Sequence, residues 1–284
     1  MIGPDRLERV TAAAVVPEQV VGYVHAVAGS KPRMFGSCVG YSSGAAVVLV
    51  GYPLHDPLDG AAMAAAVDQA LQTPGLERIT VIGPTRPPQA PEKAETAEDH
   101  YYALLLPEPA AGQKLRNLLR RAVREVQLVC GRCFENDHAA LVQRYLDERP
   151  LAAGTRQIFR RLADYVEASA GSLIVSARRP DGRLAAFAVG EFAALSTAFF
   201  MFCFRDPDLA PPGSADFTLS GLLQKARQRG QTRMNLGLGV SDGIRFFKRK
   251  WGAAPFLPYV ETSWQPAAPA LLSRLRGLFG RHSI

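Results

Sequence analysis

The run GVSDGIRFFKRKWGAAP, residues 239–255, gathers Arg245, Lys248 and Arg249 within one short segment. A helix that begins after Ser241, with Asp242 in its first turn, sets these three cations on one side and turns Ile244, Phe247 and Trp251 toward a core. Cations on such a face can neutralise a phosphate or the oxyanion formed when an amine attacks an ester. Lys248 is one candidate for that electrostatic role; the plainer alternative is a solvated lysine on a surface helix. Aminolysis also needs a path for the nucleophile's proton, for which a carboxylate serves. Asp216, near a helix start, and Glu191, at a strand end, are the candidates. Their alternative readings are a helix cap or dipole partner for Asp216 and a surface acid for Glu191.

A second concentration of charge lies at residues 114–124, where Lys114, Arg116, Arg120, Arg121 and Arg124 occur with no acid before Glu125. An unpaired basic face binds anions or is simply solvated. With Arg205, Arg245 and Arg249, the cations Lys114, Arg116, Arg120 and Arg121 form the candidate donor-binding set. Cys130 and Cys133 have C-x-x-C spacing, but no second pair completes a tetrahedral site, so no metal is expected. No G-x-x-x-x-G-K-[ST], H-E-x-x-H or G-x-S-x-G is present, and Gly237 and Gly239 lack the third glycine of a dinucleotide fingerprint.

The elements that must position these residues follow from pattern. The 284 residues, 48% hydrophobic and 21% charged, suit a folded α/β (α+β) protein of either two domains of ordinary size or one large unit. No apolar stretch reaches the roughly 20 residues of a membrane span, and the N-terminus has no apolar region of the secretory kind. A cytoplasmic protein is expected, and a net charge of +7 points to an anionic partner.

In the first half, strands are expected at 34–41 and 45–52 around a Ser-Ser-Gly turn, then a helix at 59–71, a strand at 77–82, a Pro- and acid-rich loop at 84–99 and a strand at 101–106. A helix at 110–125 joins the halves. The second half reads as strand 126–134, helices 138–148 and 155–168, a meander of strands at 172–177, 184–191 and 197–204, helix 215–229, strand 233–236, helix 242–251 and strand 256–262. The resulting organisation is a reduced domain at 1–109, a basic connecting helix at 110–125, a complete domain at 126–264 and a tail at 265–284.

The order β, α, α, β, β, β, α, β, α, β resembles the GNAT acyltransferase fold. Three stretches sharpen the resemblance toward the FemABX-like aminoacyltransferases and the C-terminal domain of phosphatidylglycerol lysyltransferases. They are KLRNLLRRAVREVQL (114–128), LLQKARQRGQTRMNLG (222–237) and the 239–255 run, similar to that group's G-x-x-x-F-K-x-K-[FW]-G signature. The resemblance implies tandem GNAT-like domains with mixed sheets flanked by helices, and a donor site at the Pro-rich break Arg205–Gly213, between the third meander strand and the next helix. It places Lys248 at the signature's F-K position and implies an aminoacyl-tRNA donor. GNAT enzymes that use acyl-CoA carry a Q/R-x-x-G-x-G/A loop instead. The matching stretch, RDPDLAPPGSAD, holds Pro211 and Pro212, which have no N–H, and the acids Asp206 and Asp208.

The expected function is therefore acyl transfer, with aminoacyl-tRNA as donor and a peptidoglycan precursor, lipid or small molecule as the amine or hydroxyl acceptor. The alternatives are acyl-CoA-dependent N-acetylation and a non-catalytic binding module. No permanently bound cofactor is expected, and tRNA is the expected macromolecular partner. The tail, PALLSRLRGLFGRHSI, has the pattern of a basic amphipathic helix, which either docks on the protein or makes peripheral contact with an anionic inner-membrane surface.

Overall fold

The computed structural model describes residues 3–266. The expected tail lies outside them. Two helices absent from the expectation come first, α1 (Pro4–Ala12) and α2 (Val21–Ala28), separated by a single 3-10 turn at Pro17–Gln19. Next come β1 (Lys31–Phe35), β2 (Cys38–Ser43), β3 (Ala46–Val50), α3 (Gly60–Leu71), β4 (Arg78–Gly83) and β5 (Glu95–Leu105). The apolar run at 34–41 is two strands, because Gly36 takes a positive φ of 56° and folds Phe35 back onto Cys38. The α3 helix starts where expected, its N–H at Ala62 accepted by the Asp59 carboxylate.

The connecting helix is α4 (Gln113–Glu125). Beyond it lie β6 (Gln127–Gly131), α5 (Asn136–Asp147), α6 (Ala153–Arg160), α7 (Leu162–Ala168), β7 (Ser172–Arg178), β8 (Leu184–Glu191), β9 (Thr197–Arg205), α8 (Ser214–Gln228), β10 (Arg233–Leu238), α9 (Asp242–Lys250) and β11 (Ala254–Trp264). The helix expected at 155–168 is broken at Arg161 into α6 and α7.

The eleven strands of the described residues form one sheet, in the order β1-β2-β3-β4-β11-β5-β10-β9-β8-β7-β6. The same plan occurs twice: an antiparallel meander, a crossover helix, and a strand returning parallel to the last meander strand. In the first half α3 carries the chain to β4 beside β3, and in the second α8 carries it to β10 beside β9. The halves also exchange strands. β11 enters between β4 and β5, while β5 bridges β11 and β10.

Side chains alternate across the second half's strands, as a pleat requires. On one face Val175 and Ala188 meet Leu219, Leu222 and Leu223 of α8 and Leu115 of α4. On the other, Ile174, Phe187 and Val189 meet Leu141, Val142 and Leu146 of α5, Tyr165 of α7 and Val27 of α2. The central strand β8 is buried along its whole length. Helix α2 of the first half thus belongs to the second half's core.

Candidate active site

The site forms where β10 leaves β9. The two strands pair in parallel only at Arg233–Thr197, Met234–Ala198 and Asn235–Phe199. At that point the buried Asn235 turns its side chain on the backbone: its Oδ1 accepts the Gly237 N–H at 2.7 Å and its Nδ2 donates to the Val15 carbonyl at 2.9 Å. A backbone donor that would otherwise extend the ladder is satisfied locally, so the strands can part without leaving it unpaired. Gly237, at φ 77°, makes the turn-away that a side chain would resist.

The parting opens a cavity of about 780 Å³. Its walls are α5 and α6 on one side, β9 on another, and the end of β10 with α9 opposite. Aromatic rings line much of it, among them Tyr23, Tyr145, Phe159, Phe200 and Phe202. Arg144, Arg149, Arg205 and Lys248 bring cations to it, and Glu18 a carboxylate.

Lys248 is the buried residue of α9. The expected cation face is therefore split: Arg245 and Arg249 stay outside the cavity walls, while Lys248 turns inward. Ile244, expected in the core, is 40% exposed. Helical spacing sets Ile244, Lys248 and Trp251 on one side of α9, and Ile244 is exposed because it faces the open cavity that it lines with Lys248. The Lys248 Nζ donates to the Leu238 carbonyl at 2.5 Å and lies 5.6 Å from the centre of the Tyr102 ring. Burial pulls its ammonium down to about 7, against the opposing pull of Asp99. Asp99 is held as an anion: burial opposes its charge, but the N–H groups of Val240, His100 and Gly239 outweigh that.

The other expected residues fall elsewhere. Asp216 is buried beneath α9, where Oδ1 accepts the Trp251 indole N–H at 2.9 Å and the carboxylate pairs with the Lys250 ammonium at 2.6 Å. It pins α9 to α8. Glu191 is fully buried and accepts four donors, the hydroxyls of Tyr165 and Ser169 and the N–H groups of Phe192 and Ala193. Neither carboxylate lines the cavity. Lys114, Arg116, Arg120 and Arg121 are exposed on α4 and also lie outside it; Arg121 pairs with Glu125 at 3.3 Å and Arg116 donates to the Ala111 carbonyl. Of the expected set, the cavity brings together Lys248 and Arg205.

The turn from β9 into α8 is pinned at Gly213 and Ser214, while Pro207, Asp208 and Pro212 stay exposed. Ser214 is fully buried, and both its N–H and its hydroxyl are spent on the Pro211 carbonyl, at 3.1 and 2.7 Å. Gly213 sits at φ 91°, and a Cβ there would lie 2.6 Å from the Leu118 carbonyl of α4. Asp206 and Asp208, which would repel a pyrophosphate, are taken up by Arg144 at 3.4 and 2.8 Å.

Among the cavity residues not singled out from sequence are Glu18, Tyr23, Tyr101, Arg144 and Arg149. Glu18 and Tyr23 come from the N-terminal segment, far in sequence from the meander that begins at Ser172, and no local pattern marks them. A grouping of Glu135, Asp137 and His138 has ligand-like proximity, but Arg178 donates to both acids, and His138 accepts the Glu135 N–H and bonds the Ser176 hydroxyl.

Two GNAT-type units sharing a sheet through exchanged strands define the class of fold. Comparison with solved structures gives the same fold. L-PGS from Bacillus licheniformis aligns over 99% of this chain and 98% of its own, at 14% identity and a TM-score of 0.61. FemX aligns over 99% of both chains at 9% identity and 0.62. A tandem GNAT protein from the clavulanic acid biosynthesis pathway aligns over 93% of this chain and 95% of its own, at 12% identity and 0.50. No family model matches the sequence, and no curated protein matches it. The fold is therefore that of tandem GNAT proteins, of the kind found in FemX and L-PGS.

Proposed function

We propose that the chain is an acyltransferase that takes an aminoacyl group from aminoacyl-tRNA and passes it to an amine or hydroxyl acceptor in the β9–β10 cavity. The observation that carries this reading is the buried Lys248 in the wall of a cavity lined by aromatic rings and arginines. Rings that stack on bases and cations that track phosphates are what a single-stranded nucleic-acid end requires. In its protonated form Lys248 would stabilise the tetrahedral oxyanion of ester aminolysis, in a water-poor setting where such a charge acts strongly. The fold shared with FemX and L-PGS is consistent with that role.

The proline-bearing start of α8 supports a donor other than acyl-CoA. The usual pyrophosphate cradle needs free backbone N–H groups at a helix N-terminus. Here Pro211 and Pro212 have none, and that of Ser214 is already bonded.

Filter binding with charged and uncharged tRNA tests the donor. Affinity should fall steeply with salt, and Arg149→Ala and Arg205→Ala should each lower the slope of log K against log salt by about one. Absence of tRNA binding at low salt, together with heat on titration of acetyl-CoA, would replace this reading with acyl-CoA-dependent N-acylation.

A further inference from the structure

Glu18 lies in the same cavity wall as Lys248 but is not paired with it. Its Oε2 accepts the Tyr101 hydroxyl at 2.8 Å, and its backbone carbonyl accepts the Tyr41 hydroxyl at 2.8 Å, so the residue is fixed at both ends. Among the described residues the carboxylate has no other side-chain donor; the residue's own N–H is the backbone group that also favours its charge. No cation there forms an ion pair with Glu18; the nearest charge to matter is the carboxylate of Glu261, which repels it. Rings close around it: Tyr23 and Tyr101 both line the cavity, and Tyr101 is backed edge-on by Tyr52 at 6.0 Å and Tyr259 at 5.6 Å.

A carboxylate withdrawn from water without a countercharge is costly, and burial raises the Glu18 carboxyl accordingly. Proteins ordinarily relieve that cost with an arginine or lysine. Glu18 instead lines a cavity large enough for a ligand. Aromatic faces beside a carboxylate are a recurrent recipe for holding an ammonium group, through cation–π attraction on the rings and a charge-assisted hydrogen bond on the acid.

We infer that Glu18, Tyr23 and Tyr101 form a subsite for a primary ammonium group. This rests on the aminoacyl-transfer reading only for the two sources of such a group: the α-ammonium of the donor's aminoacyl moiety, or the amine of the acceptor. Glu18 holds the group by charge and Tyr101 holds Glu18. Lys248 acts on the opposite sign of charge, so the cavity sorts an ammonium end from an oxyanion or phosphate end.

The test is binding, without turnover. An amino-acid amide represents the donor's aminoacyl group, its N-acetyl form lacks the ammonium, and an alkylamine represents a bare acceptor amine. Each is titrated calorimetrically into the full chain and into Glu18→Gln, Tyr101→Phe and Tyr23→Ala. The amide is expected to bind, its N-acetyl form to bind at least about tenfold more weakly, and Glu18→Gln to lose about tenfold or more for the amide alone. A Glu18-dependent alkylamine response without an amide response assigns the subsite to the acceptor. If Glu18→Gln fails to fold, as judged by its melting curve, Tyr101→Phe gives the same reading. No ammonium-dependent binding, or equal binding by wild type and these variants, overturns the inference. Ammonium binding that needs Glu18 in a protein that fails to bind tRNA leaves the subsite standing and overturns only the donor.

Discussion

The Lys248 ammonium donates to the Leu238 carbonyl, ten residues back along the chain, at 2.5 Å. That bond ties α9 to the strand end from which the cavity opens, and it holds the charge against the wall instead of in water.

A lysine brought down to about 7 leaves two signatures in pH. If it serves as a cation, turnover falls as pH rises through about 7, and Lys248→Met loses most activity, about a hundredfold or more. Stability runs the other way. The unfolded lysine keeps its proton to about 10.5 whereas the folded one releases it near 7, so the unfolded state binds more protons between these values. Wild-type stability therefore rises with pH across that window, and Lys248→Met flattens the slope. Urea melts from pH 6 to 10 measure it; parallel slopes for the two proteins would contradict a buried, neutralised lysine.

Asp216 is expected to matter for stability before chemistry. Asp216→Ala strands the Lys250 ammonium and the Trp251 indole, and removing one partner of a buried pair costs about 3–5 kcal/mol. Partial recovery in the Asp216→Leu, Lys250→Met double variant would mark the pair as structural. A variant with wild-type stability and no turnover would instead return Asp216 to the role of base.

Gly213→Ala should destabilise by about 2 kcal/mol or more, since the left-handed backbone and the approach of the Leu118 carbonyl both oppose a Cβ. Thermal melts of this variant measure how firmly α4 presses on the start of α8.

Asn235→Leu keeps the bulk but removes both side-chain bonds. The Gly237 N–H and the Val15 carbonyl lose their partners, at a cost of about 1–3 kcal/mol each where buried. Activity should fall further than stability, because the register of the parting strands is what positions Lys248. Hydrogen exchange at Gly237, faster in the variant, gives the local readout.

Much of this arrangement was legible in the sequence where local pattern governs it. The meander strands, α8, β10 and α9 all lie close to where periodicity and capping put them, and the F-K position led to Lys248. What periodicity missed was its direction: three cations in five residues look like a solvated face, yet one of them points inward once Trp251 fixes the helix's orientation. Asp216 and Glu191 were attractive as acids near the break, but partners distant in sequence, Lys250 and Tyr165, satisfy them. Glu18 gave no signal because its significance comes from Tyr101, 83 residues away. The exchange of β5 and β11 was hidden for the same reason, since strand partners far apart along the chain leave no periodic trace.

The placement of β11 has a consequence for synthesis. While the ribosome is still making α9, β4 and β5 have already emerged, and each presents an open edge toward the gap that the last strand fills. Until that strand arrives the nascent protein carries two hydrogen-bonding edges with no native occupant, the kind of surface that captures other chains. A chain cut short before residue 254 should therefore aggregate or recruit chaperones, where one that also carries residues 254–264, free of the ribosome, should not.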